Sequence, residues 1–383
     1  MKNLLLSLLS LTLFLGAAEL LARIRYTPRK IDYKWIFEYD KDKVYRLKKN
    51  IVGMFAGQKV LTNSHGHRDS EVPVAKQRNT IRVLTIGDSI TFGHGVSGNN
   101  TYTEFLEDIL NQSTSPYSFD VINTAVPGNA PFQEYFDLKR GLRFDPDIVL
   151  IQFTLNDVVE PYRIYKRYGG KGKDYHLVAD IPYYDYILSQ NSAFYLFLKD
   201  VVNKIRYRTL SEESLKSKAQ AREIYSTKNL ILKNEDPRIK EAWGECLKWL
   251  QRIVDLCQEE NLECVLFISP FSFQFTLDES SAHPQRILQD FSSRNNIVYI
   301  DLLHVLQHEF QQEMTEKYMF PENLTFEEVI LYVKKHNEKE FARFWQTYFL
   351  DYDHYNIRGH KYVADILYDT LADLLEKKGI GVE

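Results

Sequence analysis

Cysteine is scarce, and neither charge sign dominates. The chain has 383 residues but only three cysteines, Cys246, Cys257 and Cys264. Its formal net charge is −4, from 48 Lys+Arg against 52 Asp+Glu. Three thiols with no CxxC pair and no Cys/His cluster supply neither a disulfide framework nor a zinc site. They read as buried thiols, with one Cys257–Cys264 bridge left open in an oxidising compartment. Balanced charge gives no electrostatic footprint for nucleic acid. A Gly-rich phosphate loop, internal repeats and low-complexity tracts are also missing, so neither a P-loop site nor a repeat array is expected. His304 and His308 have i,i+4 spacing, but no Glu follows His304 as in His-Glu-x-x-His. They read as two positions on an amphipathic helix, and no metal or cofactor is expected.

Long apolar runs are rare, and one stands at the start. Lys2 precedes an uncharged, Leu-rich stretch from Asn3 to Ala18. A basic residue followed by a short apolar run reads as an export signal. The stretch is shorter than the roughly 20 residues that span a bilayer comfortably. Gly16-Ala17-Ala18 offers small residues for cleavage, whereas Glu19 to Arg23 continues the helical pattern. Residues 1–23 are therefore expected to be a signal peptide or a signal anchor, lying outside the fold and leaving the body exported. Membrane attachment would run through residues 3–22. No cysteine follows that could be lipid-modified.

Aromatic residues are abundant, with 25 Tyr and 23 Phe. Seven tyrosines, at 162, 165, 168, 175, 183, 184 and 186, crowd one stretch. Residues 24–80 read as a polar N-terminal extension with short extended pieces, and Asn63 to Asp69 as a turn. Beyond residue 80, apolar runs alternate with helical periodicity. Strands are expected at Ile81–Ile86, Asp120–Asn123, Ile148–Phe153, Cys264–Ile268 and Ile297–Ile300. Helices are expected at Thr101–Asn111, Pro131–Gly141, Lys240–Asn261, Gln285–Asn295 and Ile357–Lys377. This alternation implies an α/β fold with a parallel, doubly wound sheet, whose sites form at the carboxyl ends of its strands. Two stretches interrupt the rhythm, 158–238 and 308–346. They read as insertions in a domain spanning 81–383, and such insertions beside strand ends often cover a substrate site.

The chemistry sits in four segments, three of them just after a strand. Gly87-Asp-Ser89-Ile90 follows the first core strand. Asn123-Thr-Ala-Val-Pro-Gly128 follows the second, and Thr154-Leu-Asn156-Asp157 the third. Asp351-Tyr-Asp-His354 precedes the last helix. A serine hydroxyl is a poor nucleophile at neutral pH and needs a base, which in turn needs an orienting acceptor. Ser89, His354 and Asp351 are of the types required. Asp353 is a second candidate for the acceptor. Ser89 could also serve simply as a helix N-cap.

In their order and residues, these four segments resemble the SGNH, or GDSL, hydrolase family. The similarity covers roughly residues 80–157 and 345–375. It implies a flavodoxin-like three-layer α/β/α sandwich with a central parallel sheet. It also implies that Ser89 is the nucleophile, His354 the base, and Asp351, by its spacing, the orienting acid. The oxyanion donors would be the backbone N–H groups of Ser89 and Gly128 and the side-chain amide of Asn156. Thr154 stands where the family commonly has glycine. Asp88 and Asp157 are expected to hold turns and His360 to pack the final helix, while His94 reads as a solvated loop residue, with lining of the pocket as the alternative. His65, His67 and Arg68 lie in a segment similar to that of exported family members, and the sequence assigns them no chemistry.

The resemblance implies an exported serine esterase acting on carboxylic esters. Short acyl groups need no long tunnel, and tyrosines stack on sugar rings, so the expected reaction removes O-acetyl groups from a glycan. The competing readings are a lipase or lysophospholipase, an O-acetyltransferase on the same site, and a non-catalytic glycan-binding module of the cell envelope.

Overall fold

The computed structural model describes residues 2–25, 36–159, 188, 192–208, 237–275, 282–321 and 323–382. Its centre is a five-stranded parallel sheet built from β5 (Thr80–Ile86), β6 (Ser118–Asn123), β7 (Ile148–Phe153), β8 (Glu263–Ile268) and β9 (Val298–Asp301). The spatial order is β6-β5-β7-β8-β9. This is the flavodoxin-like order, with its switch point between β5 and β7, where the chain winds off in opposite directions.

Strand alternation decides which side chains face which layer. Ile81 and Val83 of β5, Ile148 and Leu150 of β7, and Val265 and Phe267 of β8 enter one core. Their neighbours Leu84, Ile86, Val149, Ile151, Cys264 and Leu266 enter the other. Buried on both faces, these strands are almost uninterrupted apolar runs, which is why they were legible in sequence. One exception is Arg82, fully buried in β5. It donates to Asp120 Oδ2 at 2.9 Å and to the carbonyl oxygens of Phe144, Pro73 and Val74, so the buried charge is partnered throughout.

Twelve α-helices lie among the described residues: α1 (Lys2–Arg25), α2 (Ser89–Phe92), α3 (Tyr102–Gln112), α4 (Pro131–Gly141), α5 (Ala193–Arg208), α6 (Pro237–Glu259), α7 (Ser272–Phe275), α8 (His283–Asn295), α9 (Leu302–Tyr318), α10 (Phe326–His336), α11 (Lys339–Tyr348) and α12 (Ile357–Glu376). Buried side chains of α3, α9, α10, α11 and α12 cover one face of the sheet. Those of α4, α6 and α8 cover the other, completing the three-layer α/β/α sandwich.

The expected insertion at 308–346 is part of this scaffold. Residue 308 falls in mid-helix, because α9 starts directly after β9 with Asp301 as its N-cap. Phe310, Met314, Val329, Val333, Phe341 and Phe344 then pack into the first core. Only part of the stretch 158–238 is described; it includes α5. The tyrosines at 162–186 lie outside the described residues.

The segment before β5 is more ordered than its polar composition suggested. Strands β1 (Phe37–Asp40) and β2 (Val44–Leu47) form one antiparallel hairpin, and β3 (Val52–Phe55) and β4 (Gln58–Leu61) another. Ile36, Phe37, Val44, Leu47, Phe55 and Val60 build a third cluster with Phe92, Ala125 and Val126 of the sandwich. The three cysteines are free and buried.

Helix α1 also departs from expectation, because it touches the body. Glu19 accepts hydrogen bonds from Ser192 Oγ at 2.7 Å and from the backbone N–H groups of Ala193 and Phe194 at 3.0 and 3.1 Å. A carboxylate at this position satisfies orphan donors at the start of α5, which explains why the two helices meet. Among the described residues, no helix is long and apolar enough to cross a membrane.

Candidate active site

Strand β5 delivers Ser89. A Cβ at Gly87 would lie 2.5 Å from Thr91 Oγ1 and 2.7 Å from Gln152 Oε1, so the sharp exit from the strand needs glycine. Asp88 caps the short helix α2, its Oδ1 accepting from Ile90 N at 2.9 Å. The capping role therefore falls to Asp88 and leaves the serine hydroxyl free for another partner. Helix α2 ends at Gly93 in the left-handed conformation.

That partner arrives from the far end of the chain. Ser89 Oγ lies 3.0 Å from His354 Nε2. His354 Nδ1 in turn lies 2.9 Å from Asp351 Oδ2 and 3.1 Å from Oδ1. The backbone N–H groups of Asp353 and His354 both donate to Asp351 Oδ1, which fixes the turn. Asp353 is buried, and its Oδ1 lies 3.1 Å from the same Nδ1. Two carboxylates thus face one imidazole nitrogen, and the ambiguity between Asp351 and Asp353 read from the sequence has a structural counterpart.

The charges respond accordingly. Burial opposes protonation of His354, but the carboxylates of Asp353 and Asp351 outweigh it and push the imidazole up to about 9. Burial also opposes ionisation of Asp351. The backbone donors of His354 and Asp353 prevail there and hold it at about 2. For Asp353 burial wins, raising it to about 6. Asp351, Asp353 and His354 are also the one grouping of potential metal ligands among the described residues, with donor atoms within 4.8 Å of one another. Those atoms are already engaged with each other.

The loop after β6 carries Gly128 at φ +76°. Val126 N bonds to Gly87 O at 3.3 Å, tying this loop to the residue before the Asp88–Ser89 turn. The loop after β7 carries Asn156, whose Nδ2 donates to Asp88 Oδ2 at 2.9 Å. The hydroxyl of buried Thr154 donates to Asn156 Oδ1, and Asp157 Oδ2 accepts from Thr154 N at 2.7 Å. Thr154 therefore does not displace the amide. It holds the amide's oxygen side, and Asp88 takes one of the two hydrogens on the nitrogen. Asp88 and Asp157 hold turns, as expected.

The remaining histidines separate clearly. The ring of His94 stacks on that of His354, with centroids 4.1 Å apart and planes at 21°. Phe55 packs edge-on behind it at 5.5 Å. Of the two readings of His94, the stacking corrects the solvated loop and agrees with a place beside His354. Gly93 turns the chain back over α2, and burial, reinforced by the charge of His354, lowers the His94 pKa to about 4. His360 is buried in α12, and its Nδ1 accepts from Tyr102 N at 3.1 Å. His304 and His308 are exposed on α9. Arg68 lies over the Phe92 ring and donates to the carbonyl oxygens of Phe92, Gly93 and Val96, each at 2.7 Å. It clamps the loop that follows α2. Sequence reading gave Arg68 no role, because its partners are backbone oxygens that no residue type announces.

Among curated proteins, none matches the sequence. Three solved structures are similar at low identity. An esterase from Pseudoalteromonas sp., inhibited by monoethylphosphonate, is 12% identical over 78% of this chain and 99% of its own, with a TM-score of 0.37. A catalytic mutant of an acetylxylan esterase from Geobacillus stearothermophilus is 15% identical over 75% and 92%, at 0.36. A lipase/acylhydrolase from Enterococcus faecalis is 12% identical over 79% and 98%, at 0.38. The pattern of one sequence family matches residues 85–321, a span that holds Ser89, Gly128 and Asn156 and ends before Asp351 and His354. With well over half of its length matched, the chain belongs to the GDSL-like lipase/acylhydrolase family and is a hydrolase of ester bonds.

Proposed function

We propose that Ser89 is the nucleophile, His354 the general base, and Asp351 the group that orients it. The observation carrying this reading is the 3.0 Å contact from Ser89 Oγ to His354 Nε2, continued on the opposite nitrogen by Asp351. Ser89 Oγ attacks the ester carbonyl carbon while its proton passes to Nε2. The carbonyl oxygen becomes an oxyanion, met by the N–H groups of Ser89 and Gly128 and by the free hydrogen of Asn156 Nδ2. Collapse expels the alcohol, which takes the proton from Nε2. Water then attacks the acyl-serine by the same route and releases the acid.

We further propose that the enzyme is exported, with residues 1–23 as its address and 3–22 as the part that meets the membrane. Leu6, Leu9, Leu13 and Phe14 of α1 are exposed, in keeping with an apolar environment other than the protein core. The proposed substrate is an O-acetylated glycan, supported by the tyrosine density of residues 162–186. A fluorophosphonate should label the wild-type protein and fail on Ser89→Ala; an unlabelled, folded wild type removes the nucleophile assignment. Acetate release from model esters should exceed release of long acyl chains, and the reverse preference would favour a lipid substrate.

A further inference from the structure

We propose that Tyr45 is a positioning residue for the oxyanion donor at Gly128, an inference that rests on the oxyanion assignment above. Tyr45 belongs to hairpin β1–β2, outside the matched residues 85–321. Its buried hydroxyl donates to Pro127 O at 3.1 Å. That oxygen and the Gly128 N–H belong to one peptide unit, which is planar and trans, so the two point in opposite directions. A donor holding the oxygen side therefore fixes where the hydrogen side faces. It also polarises the unit, making the N–H a better donor. The same hydroxyl lies 2.9 Å from where a Cβ of residue 128 would stand, so it packs directly against the glycine.

The hairpin is anchored firmly enough to act as a support. Buried Lys43 is ion-paired with Asp137 of α4. Gln133 Nε2 donates to Lys43 O at 3.1 Å, and Arg140 donates to both carboxylate oxygens of Asp40, at 2.6 and 2.8 Å. Between Lys43 and Tyr45, Val44 is buried at φ +77°. A β-branched residue rarely adopts that conformation, and it persists only where surrounding contacts over-determine it. The strained residue immediately precedes the one that touches the oxyanion loop.

The test compares Tyr45→Phe with Leu47→Val, a change in the same apolar cluster. Tyr45→Phe should lower both kcat and the fluorophosphonate labelling rate by roughly tenfold, a partial loss of one oxyanion donor, with KM within about twofold and a modest fall in Tm from the unpaired Pro127 oxygen. Leu47→Val should lower Tm and leave the labelling rate alone. Wild-type kcat and labelling in Tyr45→Phe, or an equal rate loss in both variants, overturns the positioning role while leaving the hydrolase reading intact. A wild type that does not label at Ser89 overturns both.

Discussion

His354, the proposed general base, has two acids facing its Nδ1. On the proposed mechanism, a His354 pKa raised to about 9 would leave the ring mostly protonated at neutral pH and unable to accept the serine proton. Hence kcat/KM should climb about tenfold per pH unit below pH ~9 and level off above it. Asp353→Asn removes one of the two flanking charges, so the rise should move to lower pH; a profile that stays put would show that Asp353 does not tune the base. Stability should run the other way. The folded pKa lies above the unfolded value of ~6.5, so the imidazolium stabilises the fold fully below pH ~6.5 and loses that contribution as pH rises through ~9. Denaturant titrations across this window should show the decline, and Asp353→Asn should flatten it. At Asn156, replacement by Ala should lower kcat by roughly 10²–10³-fold with little change in KM. A rise in KM alone would make the amide a ground-state contact.

At the scale of elements, α12 and the turn before it set where His354 stands. Phe349 and Tyr355 pair across that turn, and Leu350 N bonds to His354 O at 2.8 Å. Gly359, in the first turn of α12, approaches so closely that a Cβ would lie 2.0 Å from Tyr348 O. Gly359→Ala must push α12 away from α11, at a cost of about 1–3 kcal/mol. It should lower both Tm and kcat, because the displaced helix carries the histidine turn with it; calorimetry and turnover on one sample check this. The core strands and the helices beside them were legible because periodicity reports burial directly. Ile148–Phe153 and Pro131–Gly141 match to the residue. Hairpins β1–β2 and β3–β4 were not, since strands of only four residues are too short to establish an alternation within a polar segment. Helices α9 to α11 fall where the sequence showed mainly an insertion at 308–346, because their place under the sheet depends on partners far away in sequence.

For the molecule as a whole, the chain before β5 packs against the candidate site. Through Tyr45 it reaches the Pro127–Gly128 loop, through Phe55 the ring of His94, and through Arg68 the loop after α2. A chain starting at residue 80 should therefore retain α/β circular dichroism but lose most esterase turnover, and the apolar surface around Phe92, Ala125 and Val126 should bind hydrophobic dyes. Full turnover in that truncation would reduce the hairpins to decoration. The four family segments led the sequence reading to group Ser89, Gly128, Asn156 and His354, and the structure brings Ser89 to within 3.0 Å of His354. They could not show that Lys43 and Asp137, 94 positions apart, would pin the supporting hairpin. The separation of Ser89 from His354, 265 positions, has its own consequence. On the proposed mechanism, the loop closed between these two residues must form before the hydroxyl can meet its proton acceptor, so chain segments that hold only one of them should cleave no ester.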